Sequence, residues 1–166
     1  MKPSLRLFVS LSILLLAGCY RFTGIAIDQD VNTYYVDPFD NRAASVVPTL
    51  APDFTEKLKN KIRNESRLIF TDVDPDIEFS GSITEYRVTS EAPQPDEQVA
   101  FNRLTIAIAV TMTNNKRQEE EPKKINKTWY AEFPSDQNLL DVQEELIRTI
   151  TDQLAEDVFT EAFTSW

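Results

Sequence analysis

The chain has 166 residues, with 17 basic and 27 acidic side chains and a formal charge of −10. It carries no histidine, one cysteine and three glycines. Those counts exclude the Ser-His and Cys-His nucleophilic pairs, the usual histidine zinc ligands, a disulfide within the chain and a glycine-rich phosphate loop. The acidic balance argues against nucleic acid as a partner.

Residues 1–18 read as a targeting segment. Lys2 and Arg6 give a positive start, and Leu7 to Ala17 is apolar apart from Ser10 and Ser12. That run falls short of the roughly 20 residues that cross a bilayer and suits the apolar region of a secretory signal peptide. The order Leu16-Ala17-Gly18-Cys19 resembles the bacterial lipobox. It implies diacylglycerol on the Cys19 sulfur, cleavage before Cys19 and acylation of the new amino terminus. The alternative is an ordinary signal peptide with a chance cysteine. Two or three acyl chains hold a protein to a membrane far more firmly than one, at about 0.8 kcal/mol per buried methylene. Without Lys2 and Arg6, 15 basic residues remain against 27 acidic ones, a formal charge of −12.

Residues 19–30 read as a lipidated tether, and residues 31–166 as a single domain. Thr33 to Asp37 alternates and stops at Pro38, the pattern of a short strand. Asp40 to Val47 reads as a loop. Thr49 and Pro52 mark a helix start, and Leu50, Phe54, Leu58 and Ile62 give that helix one apolar stripe. Arg67 to Thr71 suggests a brief strand before the turn Asp72-Val73-Asp74-Pro75-Asp76.

Ile77, Phe79, Gly81 and Ile83 share one face, but Tyr86 and Val88 continue in the opposite phase, which predicts a β-bulge near Glu85. Glu91 to Gln98 is a polar, proline-bearing loop. Leu104, Ile106, Ile108, Val110 and Met112 then alternate with smaller residues. Asn114 to Lys124 is a charged hairpin tip. Ile125, Trp129, Ala131 and Phe133 mark the returning strand. Asp141 and Glu144 have the spacing of a capping box. The helix they open carries Leu146, Ile147, Ile150, Leu154, Val158 and Phe159 to about Phe163. The expectation is an α+β domain of two layers. A mixed, mostly antiparallel sheet of about four strands carries both helices on one face.

Two groups of residues are candidates for function. Thr105, Ala107, Ala109, Thr111 and Thr113 line the other face of the central strand without charge or bulk. A solvated face normally carries Lys, Glu, Arg and Gln, so small side chains here suit close approach by a protein partner. The plainer alternative is a modestly exposed face that favours threonine. Lys116, Arg117, Lys123 and Lys124 in the hairpin tip are candidates for phosphate contact, against the alternative of a solvated tip that discourages edge-to-edge aggregation. Carboxylates are numerous, but most fall on wet helix faces and loop tips. The chain is therefore read as non-enzymatic, with no metal and no cofactor.

The runs "CYRFTG", "VPTLAPDFTEKLKNKI", "FSGSITEYRVT", "NRLTIAIAVTMTNN" and "ELIRTITDQLAEDVFTEAF" together resemble the LptE family over nearly the whole mature chain. The resemblance implies an outer-membrane lipoprotein that plugs the LptD β-barrel, helps it fold and assists lipopolysaccharide delivery to the outer leaflet. A barrel lumen is polar, so its plug needs a polar, sterically close surface. Lipopolysaccharide itself is a further candidate ligand. It is polyanionic, and a body at −12 favours a structural role over direct binding. No aspartate follows Cys19, which by lipoprotein sorting rules favours the periplasmic side of the outer membrane. The rival expectation is an adaptor or chaperone for another envelope machine, such as a secretin.

Overall fold

A computed structural model describes residues 27–45, 47–91, 100–117 and 119–164. The targeting segment, Cys19, most of the tether and most of the Glu91–Gln98 loop lie outside the described residues.

The elements follow the order β1 (Thr33–Val36), β2 (Asp40–Asn41), α1 (Leu50–Glu65), β3 (Ile69–Phe70), β4 (Ile77–Glu91), β5 (Phe101–Asn114), β6 (Lys123–Pro134) and α2 (Leu139–Phe163). The sheet runs β3-β1-β4-β5-β6, with β2 paired to β4 beyond the end of β1. β1 is parallel to both β3 and β4. β4, β5 and β6 form an antiparallel meander. The fold is α+β as expected, with more strands than the four anticipated. β2 is the strand that the sequence reading missed; it falls in the stretch read as a loop. It pairs parallel to Ser82–Ile83, and the Arg42 N–H donates to the Ile83 carbonyl at 2.9 Å.

Both helices pack on one face of the sheet. Leu50, Phe54, Leu58 and Ile62 of α1 are buried, as are Leu146, Ile147, Ile150, Leu154, Val158 and Phe159 of α2. They meet Phe79, Ile83, Leu104, Ile106, Ile108 and Val110 from the sheet in one continuous core. The phase change in β4 is a register shift between Ile83 and Glu85. That bulge returns Tyr86 to the helix side, where its hydroxyl accepts a hydrogen bond from Gln143 Nε2 at 3.1 Å. Burial raises the Tyr86 pKa.

The helix starts differ from expectation in detail. Thr49 stands at the head of α1 but its side chain makes no capping bond. The start is closed by backbone instead, with Leu50 N–H donating to Val47 at 3.1 Å. α2 begins earlier than the expected Asp141 start. Asn138 caps it, its Oδ1 accepting from the Leu140 N–H at 3.0 Å, and asparagine is as good a cap as aspartate.

Candidate docking surface

With both helices on one side, the opposite face of the sheet has no covering element among the described residues. The ladder register states which side chains share it. Ala109 lies between Ser82 of β4 and Asn126 of β6. Ala107 lies between Glu85 and Thr128, and Thr111 between Ser80 and Lys124. Thr105 sits between Arg87 and Tyr130, and Thr113 beside Glu78. The five expected residues therefore do share one face. They sit in a patch of mostly small uncharged side chains, interrupted beside Ala107 by Glu85, which is ion-paired to Arg87, and flanked by further charge at its ends. Ser80, Ser82, Asn126 and Thr128 complete that patch. The alternation in "FSGSI" foreshadows the two serines, but only the register joins them to β5.

The patch is also low. Ala107 is only 9% exposed, because its taller neighbours stand around it. At one end Arg103 holds a tight cluster. Its guanidinium donates to Glu132 at 2.6 Å, lies 3.3 Å from Glu91 and stacks over the Tyr130 ring at 4.2 Å. The hydrogen bond to Glu132 raises the Arg103 pKa, keeping it firmly cationic.

The four hairpin-tip cations do not converge. Lys116 pairs with Asp76 at 3.2 Å, and Arg117 with Asp28 at 2.8 Å. Lys123 donates to the Glu161 carbonyl at the end of α2. These three fasten the tip to the rest of the fold. Lys124 instead stands on the open face beside Thr111. A cleft of about 380 Å³ opens between the tip and the tether, with Ile27, Met112 and Phe163 in its floor and Arg117, Lys123 and Glu120 on its rim.

Where the tether meets the body, Arg67 was not anticipated as important. Its guanidinium donates to the carbonyls of Val31 at 2.8 Å and Ile27 at 3.4 Å, and also to that of Asp28. These bonds fix the direction from which the tether joins β1. No sequence signal marks them, because the acceptors are backbone.

Among the described residues, no cluster of three or more Asp, Glu, His or Cys could hold a metal ion. None of their helices is long and apolar enough to cross a membrane.

A family model described as LptE, lipopolysaccharide-assembly, matches residues 31–162. The chain is similar to the solved structure of a minor lipoprotein from Acinetobacter baumannii, at 10% identity and a TM-score of 0.52, over 79% of this chain and 91% of that one. It is also similar to the rare lipoprotein B from Shewanella oneidensis, at 12% identity and a TM-score of 0.53, over 79% and 92%. At these identities the likeness is one of fold. No curated protein matches the sequence.

Proposed function

The chain belongs to the LptE lipopolysaccharide-assembly family, and from that premise we propose that it plugs an LptD-type outer-membrane β-barrel and helps it assemble. It is an envelope lipoprotein of lipopolysaccharide assembly. In our reading acyl chains on Cys19 hold it to the outer membrane from the periplasmic side, with its body in the barrel lumen.

The observation that carries the plug reading is the uncovered sheet face centred on Ala107 and Ala109. A lumen wall is polar and curved. A body that fills it must present a surface that is neither greasy nor crowded by long side chains. The Ser80, Ser82, Thr111, Asn126 and Thr128 rows around the two alanines have that character. Glu85, the charge beside Ala107, is answered by Arg87 within the chain, so the surface needs no charged partner on the wall, which suits a structural role.

The test is affinity capture from detergent-solubilised outer membranes of cells that produce the full chain with its barrel. Ala107→Arg and Ala109→Glu should leave the circular dichroism spectrum of the purified protein unchanged and sharply reduce the LptD-type barrel recovered. Undiminished capture by both variants would remove this face from the contact. Capture of a secretin in place of an LptD-type barrel would favour the adaptor role.

A further inference from the structure

The outer edge of β6 is the other part of the sheet left without a neighbour, since among the described residues no strand lies beyond it. Two hydrogen bonds fix which of its backbone groups face out. The Asn115 N–H donates to the Asp76 carbonyl at 2.8 Å, so odd-numbered residues of β5 turn toward β4 and even-numbered ones toward β6. The Ser135 N–H donates to the Ala100 carbonyl at 3.0 Å, and Leu104 pairs with Ala131 and Ile106 with Trp129. Odd-numbered residues of β6 therefore direct their N–H and C=O groups to β5. The row Asn126, Thr128 and Tyr130 directs its groups outward, and no bulge interrupts the pairing of β5 with β6.

Natural edge strands are commonly guarded by lysines. Here the lysines on the helix side of the edge are drawn onto α2. Lys127 pairs with Glu161, and Lys123 donates to the Glu161 carbonyl. Glu132 is held by Arg103, and Lys124 stands at the tip end of the strand. What is left between them is an uncharged row with an aromatic ring on each side. Trp129 pairs with Ile106 on the helix side yet is 40% exposed, and Tyr130 on the open face is 50% exposed. A strand added here would cover both rings. Side chains on its helix side would lie against the indole. Those on its other side would continue the surface formed by Ala107, Asn126 and Thr128.

We propose that this edge takes up an extended segment of the barrel polypeptide as an added strand, an inference that rests on the plug reading and names a contact within it. A strand of the wall cannot be that segment, because a closed barrel has already paired each of its wall strands on both sides. Only a part of the barrel that leaves the wall and folds into the lumen has backbone N–H and C=O groups to exchange. Main-chain bonds supply the affinity in strand addition, and alternate side chains supply the specificity. The segment should therefore alternate, with apolar residues beside Trp129 and polar ones beside Asn126 and Thr128. Pro122 and Pro134 bound the edge. Each falls at an outward-directed position and lacks the N–H that a further pair needs, so the added strand is confined to the span from Lys124 to Glu132.

The experiment is site-specific photo-cross-linking of the full chain in cells that also produce its barrel. A benzoylphenylalanine replaces Asn126, Thr128 or Tyr130 in turn. Each probe should join the LptD-type barrel. Peptide mapping should place all the sites on one stretch of it, displaced by about two residues at each step. With the probe at position 130, Thr128→Pro withdraws one outward N–H and should lower the yield about tenfold. Thr128→Ala keeps that N–H and should leave the yield unchanged. The proline variant should retain the wild-type circular dichroism spectrum, because proline is tolerated on an edge strand whose N–H faces away from the sheet. Should it unfold, Trp129→Ser decides, since it leaves every backbone group in place and should lower the same yield several-fold. Barrel capture without cross-links, sites scattered over wall strands, or cross-links to a second copy or to another protein would each overturn the inference and leave the plug reading standing. So would an undiminished yield in both Thr128→Pro and Trp129→Ser. A wild-type chain that captures no LptD-type barrel would overturn both.

Discussion

The Asp76 carboxylate accepts the backbone N–H of Asn32 at 2.7 Å, across 44 residues of sequence. It also accepts the Thr33 N–H at 3.1 Å and pairs with Lys116 at 3.2 Å, while its own N–H donates to Thr33 Oγ1 at 2.9 Å. One side chain thus joins the start of β1, the start of β4 and the hairpin tip. The Asn32 N–H bond, foremost, holds the Asp76 pKa below the ordinary carboxylate value, aided by Lys116. The charged form is the one the fold favours. Its contribution is therefore complete above the unfolded pKa of about 3.9 and is lost as pH falls through the lower folded value. Asp76→Asn should be less stable than the wild type at pH 7. The gap in urea midpoint should close between about pH 4 and the folded pKa. A gap that stays constant across that range would show that the carboxylate's charge is immaterial.

Arg67 offers a second handle on the same end of the fold. Its donors satisfy carbonyls of Ile27, Asp28 and Val31, which no strand or helix would otherwise occupy. Arg67→Met keeps the apolar stem and removes the donors. It should cost on the order of 1–2 kcal/mol in urea unfolding. Arg67→Lys should recover only part of that loss, because an ammonium cannot reproduce the planar fork.

The parts of this fold that could be read from sequence are those in which one physical period runs long enough to dominate. The stripe of Leu146, Ile150, Leu154 and Val158 and the alternation of Leu104 through Val110 each bury as expected. The bulge near Glu85 was legible because Ile83 and Tyr86 cannot share a face without one. β2 was not legible. It has two polar residues and no alternation, and it exists because Ser82 and Ile83 present a free edge above the end of β1. The candidate surface divides the same way. Its β5 row follows from alternation alone, whereas Asn126 and Thr128 join it only through the pairing register. Arg67 had no legible role, since a bond to backbone leaves no mark on the acceptor's identity.

Gly81 tests a close approach on the helix side of β4. A Cβ built there would collide with the Ala109 carbonyl oxygen and the Phe39 ring. Phe39 cannot retreat, because it stands edge-on to Phe54 at 4.9 Å between centroids, and its N–H donates to Thr55 Oγ1 at 3.0 Å. Gly81→Ala should therefore destabilise the domain by about 1–3 kcal/mol through overpacking. Adding Phe39→Leu, which shortens the obstructing side chain, should return part of that loss relative to Phe39→Leu alone. Strict additivity of the two changes in a urea double-mutant cycle would show that the ring is not what the methyl meets.

Neighbouring residues of β5 should separate stability from docking most sharply. Ile108 is 1% exposed and packs into the core. Ile108→Ala removes its outer methyls and leaves a cavity under the helices, at a cost of about 2–5 kcal/mol. Leu104, fully buried on the same side, should respond alike. Ala109 points the other way, between Ser82 and Asn126, so Ala109→Ser should change stability by no more than about 0.5 kcal/mol. Urea unfolding followed by far-ultraviolet circular dichroism distinguishes the two. The midpoint should fall steeply for the even-numbered positions and stay put for the odd one, with a common slope if unfolding remains two-state. Equal losses at positions 108 and 109 would mean that both faces of β5 are enclosed, and the open face would no longer be available to a partner.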